Sequence, residues 1–506
     1  MKSFDLSYFA KFTDQKTFES IKWYRNLSEM WDRSVSFGDR VAVKDKDIEK
    51  TYRELDAEVS EYRGYLAGEG IGKGDRVGVL IPNSADFVKV FLALTTMGAT
   101  AAVLPVQLDE MTVFGVSMKF GLKAIVAASA LSEKTKIAEA KKPGFKTLST
   151  DGKGEKTPAC GDIDPDDDCL IMFTGGTTGR SKGALLTQRN VVAGTIYGCL
   201  DLPDVLFQTY ILCLPLSHVF GLIRNMMCSL YTGSTLCICR NNKDLFTDIG
   251  VYQPTVLVAV PALVEMALGL SRLFKKNMLG TIKTIICGAA WVPPYLIREM
   301  ASFGIDVYPG YGLTESANLV SGNPYKEDKP ESVGILYPYQ EIKFEDGEIL
   351  LKGINIFKEY VGDPEETKNA FTEDGWFKTG DLGRIDEDGC LYITGRTKEI
   401  IVLSNGENVS PAEVETHYNN IKYIQDCQLF EDAEGDGPHF LHLEIVPRKT
   451  ELAAFDKDAA AKAILDAVNE VTMKLPSYQR PTKVTIRTED FERTPAMKIK
   501  RYKKFG

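Results

Sequence analysis

Between residues 76 and 104 the chain places an apolar run, an amphipathic helix pattern and a second apolar run in direct succession. In the middle part, residues 84–97, the side chains of Phe87, Val90 and Leu94 fall on one helical face. A strand, a crossover helix and a second strand imply parallel pairing, with helices covering the sheet. This unit therefore predicts an α/β fold.

The alternation of strand and helix patterns continues along the chain. Thr51 and Glu54 form a capping-box pattern that predicts a helix to about Ala67, and Thr187 is placed to cap a helix that begins near Gln188. Further apolar runs predict strands at residues 124–127, 211–214, 235–239, 255–260, 284–287 and 305–308. The first 50 residues or so are mixed and aromatic, and they favour no one element.

The pattern changes after about residue 330. Short strands are predicted at residues 342–344, 348–351 and 390–394, joined by Asp-Gly turns that favour hairpins. Beyond Lys398 the sequence predicts a helix from Pro411, a strand at 439–446 and an Ala-rich helix at 457–474. We therefore expect an N-terminal domain of residues 1–397, whose β-rich part covers about 330–397. A small, mobile α+β C-terminal domain of residues 398–506 follows.

Composition narrows the class of protein. The 506 residues carry a formal net charge of −10, which argues against a nucleic-acid partner. The ten cysteines show no Cys-x-x-Cys pair and no metal-ligand spacing with histidine. The N-terminus has no apolar signal region, and no apolar run approaches the ~20 residues that a membrane span needs. We expect a reduced, cytoplasmic protein without a membrane span.

A stretch rich in glycine and hydroxyl groups follows the strand pattern at residues 169–173. Residues 174–183 contain four glycines, three threonines, one serine and two cations, one of which is Lys182. Glycines let backbone N–H groups point at an anion, and hydroxyl groups and a lysine add donors for phosphate. The loop differs from a Walker A loop because Gly183 follows the lysine. A polyphosphate site and an ordinary surface loop both fit this composition.

Four further stretches carry residues suited to chemistry or to a purely structural role. His218 lies in an apolar setting, where a histidine serves as a core residue or as a catalyst. Gly288 ends a strand pattern, in a tight turn or where a flat ring approaches the backbone. Tyr311 can stack on a base, and Glu315 suits Mg²⁺. Asp381 stands in a Gly-flanked turn, where it can cap the turn or accept both hydroxyls of a ribose.

In their order and spacing these stretches resemble the adenylate-forming superfamily of acyl-CoA synthetases, adenylation domains and luciferases. The similarity runs from about residue 42 to 504. The motifs that carry it are residues 174–183, 311–316, 375–383, 395–399, 406–415 and 493–501. The resemblance implies an AMP-forming acid–thiol ligase. Such an enzyme converts a carboxylic acid, with ATP and Mg²⁺, into an acyl adenylate and then transfers the acyl group to CoA.

The resemblance also implies roles for individual residues. ATP or AMP would be bound by Thr174, Gly175, Gly176, Thr177, Thr178, Gly179, Lys182, Gly288, Ala289, Ala290, Gly310, Tyr311, Gly312, Thr314, Asp381, Arg396 and Lys498. The catalytic residues would be Lys498, Thr314, Glu315 and His218, and Glu315 would also bind Mg²⁺. Lys398 would be the hinge between the domains. Ser404, Asn405 and Gly406 would lie on the CoA side. Since Lys498 belongs to the smaller domain, it can approach for adenylation and withdraw for thioester formation.

The acid and the thiol are less closely defined. Residues 218–221 read His-Val-Phe-Gly and offer no carboxylate for an amino acid's ammonium group, and Leu222, Ile223, Met226 and Met227 nearby are apolar. We therefore expect an uncharged tail, as in a medium- or long-chain fatty acid or an aryl acid. Three alternatives remain: an enzyme that loads a separate acyl carrier protein, a degenerate nucleotide-binding protein, and a luciferase-like oxygenase.

Overall fold

The computed structural model describes residues 3–174, 182–403, 407–433, 439–493 and 499–501. The described strands are β1 Val41–Asp45, β2 Ile48–Thr51, β3 Arg76–Leu80, β4 Thr100–Val103, β5 Ala124–Ala127, β6 Lys146–Ser149, β7 Asp168–Thr174, β8 Lys182–Thr187, β9 Thr209–Leu212, β10 Thr235–Ile238, β11 Val256–Ala259, β12 Thr284–Cys287, β13 Asp306–Tyr311, β14 Ser321–Gly322, β15 Gly334–Leu336, β16 Gln340–Glu345, β17 Glu348–Gly353, β18 Glu359–Tyr360, β19 Phe377–Ile385, β20 Cys390–Arg396, β21 Ile401–Val402, β22 Asn408–Val409, β23 Ile424–Ala433, β24 His439–Pro447 and β25 Lys483–Ile486.

The helices of the same ranges cover the sheets and join the strands. The α-helices are α1 Gln15–Ser20, α2 Leu27–Val35, α3 Tyr52–Gly68, α4 Ala85–Thr96, α5 Glu110–Lys119, α6 Lys136–Lys141, α7 Gln188–Tyr197, α8 Cys228–Tyr231, α9 Leu245–Tyr252, α10 Pro261–Leu273, α11 Pro294–Ser302, α12 Pro364–Ala370, α13 Pro411–Asn419 and α14 Lys457–Lys474. A π-helix spans Phe220–Met227, and 3₁₀ turns span Leu6–Lys11, Ser129–Thr135, Asn242–Asp244, Thr314–Ser316, Thr397–Glu399 and Ser477–Gln479.

Local capping signals determine where several of these helices begin. The Thr51 hydroxyl accepts a hydrogen bond from the backbone N–H of Glu54, and the Glu54 carboxylate accepts one from that of Thr51, so the predicted capping box is present. Thr187 caps α7 in the same way, by accepting from the backbone of Asn190. The predicted helix starts at both positions are confirmed.

The first sheet has the strand order β18-β8-β7-β4-β3-β5-β6. Strands β3 and β4 pair in parallel with Arg76 opposite Thr100, as the crossover pattern predicts. Parallel strands are usually buried on both faces, and residues such as Val77 and Val103 are almost fully buried. Strands β7 and β8 form a hairpin beside β4, and the glycine-rich residues connect the two strands.

The second sheet combines a parallel and an antiparallel half. Strands β1, β10, β9, β11, β12 and β13 pair in parallel, and β14, β15, β20, β19, β17 and β16 continue the sheet in antiparallel order. The β-rich part expected at 330–397 is thus the antiparallel half of this sheet. Most of the predicted strands differ from the observed ones by one or two residues at an end. The strand predicted at 305–308 extends to Tyr311, and the one predicted at 211–214 lies two residues earlier.

The segment after Lys398 forms a core of its own. Strand β24 pairs antiparallel with β23 and parallel with β25, and the predicted helix at 457–474 matches α14. Val414, Leu443 and Val468 are fully buried in this core. A large N-terminal α/β domain is therefore followed by a smaller α+β domain, as predicted, while the boundary at 397/398 stays a prediction. Within the described ranges, no helix is long and apolar enough to cross a membrane.

Candidate active site

The hairpin of β7 and β8 holds both ends of the glycine-rich loop. Thr174 and Lys182 are opposite each other in the antiparallel register, so the loop between them starts and ends at one place in the sheet. The predicted phosphate ligands Gly175, Gly176, Thr177, Thr178 and Gly179 lie outside the described residues. Gly183 follows Lys182, and a Cβ there would lie 2.3 Å from the Phe120 ring, so β8 packs closely against Phe120 at this point.

Lys182 is held by a glutamate that the sequence analysis did not single out. Its Nζ forms an ion pair with the Glu366 carboxylate on α12 and lies 4.7 Å from the centre of the Tyr360 ring. The Tyr360 hydroxyl donates a 2.7 Å hydrogen bond to Oε1 of Glu315. Burial raises the pKa of Glu315, whereas the Tyr360 hydrogen bond and the Lys182 charge act in the opposite direction. Lys182, Tyr360 and Glu315 thus form one continuous cluster.

The Tyr311 motif connects the end of β13 to the Thr314–Ser316 turn. Gly312 is required there, because a Cβ would lie 1.6 Å from the backbone oxygen of Asn318. The Ser316 hydroxyl accepts a 2.9 Å hydrogen bond from the backbone of Leu313 and fixes the turn. Thr314 is half-buried beside the buried Glu315. The turn therefore presents a hydroxyl and a carboxylate on consecutive residues.

Asp381 joins two of the predicted site residues. It lies on β19 opposite Arg396 of β20 and is 2% exposed. Its Oδ2 accepts a 2.7 Å hydrogen bond from the Tyr311 hydroxyl, and its Oδ1 lies 2.9 Å from Arg396 Nε. Burial and the Asp381 carboxylate raise the pKa of Tyr311, and the same carboxylate raises that of Arg396. Three motifs distant in sequence thus meet at one carboxylate.

Gly288 lies beside Gly310, the residue before Tyr311, and His218 lies in the segment between β9 and the π-helix. Gly288 directly follows β12, and a Cβ on it would lie 3.4 Å from the Gly310 oxygen and 3.5 Å from the Phe220 ring. Ala289 has a positive φ of 64°, and Ala290 is exposed. The half-buried His218 accepts a 3.3 Å hydrogen bond at Nδ1 from the backbone of Phe220, which favours the tautomer with the proton on Nε2.

The predicted hinge and the chain terminus are connected by one arginine. Lys398 is exposed in the Thr397–Glu399 turn. Arg501 lies 2.9 Å from the Glu399 carboxylate and donates two hydrogen bonds, of 2.8 and 2.7 Å, to Glu415 on α13. The predicted catalytic Lys498 and the CoA-side residues Ser404, Asn405 and Gly406 lie outside the described residues.

Charged residues also connect the two domains away from this site. Arg272 of α10 lies 2.9 Å from Glu299 of α11 and 2.5 Å from Glu451 of the smaller domain. Glu265 accepts a hydrogen bond from the Tyr295 hydroxyl and lies 3.6 Å from Arg448 of the smaller domain. Burial, and next the Asp426 carboxylate, raise the pKa of Glu265 to about 7.

Sequence reasoning did not identify Glu366, Tyr360 or Arg501, nor the buried Arg224 in the π-helix Phe220–Met227. Arg224 had a usable signal, since a cation and an asparagine interrupt the apolar run at residues 219–227. Glu366 had none, because it is one of two adjacent glutamates at the start of a short exposed helix, 184 residues away from Lys182.

The model of the AMP-binding enzyme family matches residues 30–361. The chain belongs to this family. A model of the AMP-binding enzyme C-terminal domain matches residues 398–505. The predicted adenylate-forming superfamily and its acyl-CoA synthetase branch are thereby confirmed, and the enzyme is an AMP-forming acid–thiol ligase.

Named relatives of this AMP-binding enzyme are CoA ligases. The chain is 29% identical over 505 residues to "Probable CoA ligase CCL9" of Humulus lupulus, covering 92% of this chain and 93% of that protein. It is 31% identical over 395 residues to long-chain-fatty-acid–CoA ligase FadD13 of Mycobacterium tuberculosis, covering 73% and 78%. The crystal structure of the anthranilate CoA ligase AuaEII with anthranoyl-AMP has a TM-score of 0.82 at 20% identity, covering 95% and 96%, and shows the same fold.

Proposed function

We propose that this enzyme activates a fatty or aryl carboxylic acid with ATP and transfers the acyl group to the thiol of CoA. The observation that carries the proposal is the convergence of Tyr311, Asp381 and Arg396 at one buried carboxylate. A buried carboxylate with an aromatic ring and a guanidinium beside it suits a nucleoside, whose hydroxyls need acceptors and whose base stacks. Lys182 and Glu315 lie in a second cluster with the chemistry for phosphate and a cation.

The proposed nucleotide site uses each of these groups. Residues 174–179 and Lys182 would bind the β- and γ-phosphates, and Thr314 the α-phosphate. Residues 288–290 would border the adenine, with Tyr311 stacked on it. Asp381 would accept the ribose hydroxyls once its present contacts with Tyr311 and Arg396 loosen. Arg396 would then contact the ribose or a phosphate.

Mg²⁺ fits this donor set as a cation bound mainly by the nucleotide. Glu315 offers one buried carboxylate beside Lys182. Among the described residues, no group of three or more His, Cys, Asp or Glu could hold a metal ion by itself. Mg²⁺ is typically bound by one or two carboxylates together with phosphate oxygens and waters. The ion would supply charge neutralisation at the phosphates.

The proposed reaction has two steps. An oxygen of the acid attacks the α-phosphorus, the bond to the β-phosphate oxygen breaks, and pyrophosphate leaves. Lys498 and Lys182 would stabilise the negative charge that develops during this step. The CoA sulfur then attacks the acyl carbon, the thiol loses its proton, and the bond to the AMP oxygen breaks. A rotation about Lys398 would exchange Lys498 for the residues at 404–406 between the steps.

Two observations support the proposed acid and acceptor. The segment that follows His218 carries no carboxylate to pair with an ammonium group, so an amino acid is disfavoured. The relatives named above are CoA ligases, which favours CoA over a carrier protein as the thiol. Their acids differ, since one name specifies a long-chain fatty acid and another anthranilate, so the names give no single substrate.

The proposal is tested by pyrophosphate release over a panel of fatty, aryl and amino acids, with CoA present or absent. We expect release with fatty or aryl acids, and AMP and acyl-CoA in equal amounts when CoA is added. Release without acyl-CoA, followed by transfer to an added carrier protein, would favour the carrier-loading alternative. No release with any acid would contradict the proposal, and oxygen consumption with light emission would favour an oxygenase.

Replacing Glu366 by glutamine should strengthen ATP binding. In the wild type, ATP must compete with the Glu366 carboxylate for Lys182. The partly exposed ion pair is weak, so we expect the Kd for ATP to fall about two- to fivefold, and the gain to shrink at high salt. Titration calorimetry measures both effects, with Glu365→Gln as the matched control on the same helix. An unchanged Kd would show that Glu366 does not compete with the nucleotide.

A further inference from the structure

The largest fully buried side chain in the described part of the protein is an arginine. Arg224 lies in the π-helix Phe220–Met227 and is 2% exposed. Its Nη1 is buried and has no hydrogen-bond partner among the described residues. A Cβ on Gly198 would lie 3.1 Å from that nitrogen, so the chain leaves room for the guanidinium at this position. Burying a cation with an unused donor is costly unless something binds it.

Two other polar side chains lie close to Gly198: the Cys228 sulfur, 2.5 Å from the Cβ position of Gly198, and Asp201, three residues further along the chain. Asp201 is 4% exposed, and its Oδ1 is buried without a hydrogen-bond partner in the described ranges, as is the Tyr210 hydroxyl. Burial raises the pKa of Asp201, whereas the charge of Arg224 acts to lower it, so the two groups influence each other. The Tyr337 hydroxyl faces the other oxygen of Asp201. These four side chains, Arg224, Asp201, Tyr210 and Tyr337, are called the polar cluster below.

The polar cluster lies at one end of a row of glycines that begins at the nucleotide site. Gly310, which precedes Tyr311, is directly opposite Gly322 on β14. A Cβ on Gly322 would lie 2.1 Å from Asp201 Oδ2 and 2.2 Å from the Tyr337 hydroxyl. On the other side of Gly310 the row continues to Gly288 at the end of β12. Neighbouring strands are ~4.8 Å apart, so the row is about 10 Å long.

The helix that carries Arg224 follows this row. Its first residue, Phe220, places its ring 3.5 Å from the Cβ position of Gly288, at the nucleotide end. Arg224 comes four residues later, about one helical turn further on. Above Gly310 the nearest atoms to a Cβ would be backbone atoms of residues 321 and 322, which leaves this point of the row without a covering side chain. The row is thus bounded by Phe220 and by the polar cluster.

We propose that the glycine row receives a compact acid whose far end carries a hydroxyl group, and that this hydroxyl binds between Arg224 and Asp201. The proposal rests on the proposed function, because the acid's carboxylate must lie at the nucleotide end of the row. A hydroxyl both accepts and donates, so it satisfies the guanidinium and the carboxylate together. An alkyl tail would satisfy neither, and a second carboxylate would attract Arg224 but repel Asp201. The apolar tail expected from residues 222–227 is therefore narrowed to a short, hydroxylated one.

The test compares matched acids by kcat/KM for pyrophosphate release. The set is 4-hydroxybenzoate with benzoate, 3-(4-hydroxyphenyl)propanoate with 3-phenylpropanoate, and the controls terephthalate and decanoate. We expect the wild type to favour the hydroxylated member of at least one pair about tenfold or more, and to prefer it to decanoate. Arg224→Met should reduce that preference to less than threefold while the KM for ATP changes less than twofold. Arg298→Met, an exposed arginine on α11, is the control.

A second variant keeps the test decisive if Arg224→Met does not fold. Asp201→Asn preserves shape and removes the charge that repels a second carboxylate. It should raise the kcat/KM for terephthalate relative to 4-hydroxybenzoate about fivefold or more. Equal rates for hydroxylated and unsubstituted acids, a preference for decanoate, or an unchanged ratio in Asp201→Asn would each overturn the proposal. In those cases pyrophosphate release itself would persist, whereas failure of the proposed function would abolish release with every acid.

Discussion

Replacing Lys498 by alanine is expected to lower acid-dependent pyrophosphate release at least a hundredfold, and to leave most of the thioester step intact. The first step moves negative charge onto the phosphates and the attacking oxygen, and removal of one charged donor at such a centre costs about 10²–10³ in rate. The second step starts from the acyl adenylate, after Lys498 has withdrawn in the proposed cycle. The two half-reactions should therefore respond very differently.

The measurement supplies acyl adenylate and CoA directly and compares that rate with pyrophosphate release in the forward direction. Lys500→Ala is the matched control, because Lys500 is an exposed lysine two residues away that pairs with Glu492 at 3.1 Å. It should affect neither step more than about twofold. If Lys498→Ala slowed both steps equally, the lysine would not be confined to adenylation, and the proposed exchange of conformations would be wrong.

Replacing Asp381 by alanine should raise the KM for ATP about tenfold to a hundredfold. Hydrogen bonds to a charged group contribute about 1.5–3 kcal/mol each, and the proposed role gives this carboxylate both ribose hydroxyls. Part of that gain is offset, because Asp381 must release Tyr311 and Arg396 when ATP binds. The same substitution removes the partner of Arg396 and of the Tyr311 hydroxyl, so a loss of stability accompanies it. Asp381→Asn keeps the shape and one acceptor oxygen, and should give a smaller rise in KM with less loss of Tm.

Thermal unfolding separates the two effects of this substitution. Asp388→Ala, in the exposed turn between β19 and β20, is the control for the same sheet. A KM for ATP that stayed within twofold of the wild type in folded Asp381→Ala would remove this residue from the ribose site. A fall in Tm with an unchanged KM would leave Asp381 only as the structural partner of Tyr311 and Arg396.

The elements of the fold were predictable where a local signal determines them. The capping boxes at Thr51 and Thr187 act within one helical turn, so the sequence contains all of their information. The Ala-rich composition of residues 457–474 likewise predicted α14 over its full length. The first two strands were missed because β1 depends on pairing with β10, nearly 200 residues later. Such pairing has no local signature in the sequence.

The same distinction applies to the candidate site. The motif residues were recognisable from their order and spacing, although their roles stay proposals. Their contacts were not predictable, since the pairing of Lys182 with Glu366 depends on how β18, which leads into α12, pairs with β8. Arg224 was not predicted for another reason. Its neighbours in the chain are apolar, and the segment therefore indicated an apolar lining throughout. Whether a cation in such a run is buried or exposed is decided by tertiary packing.

The contacts between the domains have a consequence for the proposed exchange of conformations. Arg272 and Glu265 of the N-terminal domain form ion pairs with the smaller domain, and each also has a partner within its own domain. The partner of Arg272 is Glu299, and that of Glu265 is Tyr295. A rotation about Lys398 would therefore leave neither side chain without a counter-ion or a donor. Undocking therefore leaves no charge unpaired on the N-terminal side of the interface, which lowers the electrostatic cost of alternative orientations. The bound reactants, rather than the interface, would then determine which orientation is populated.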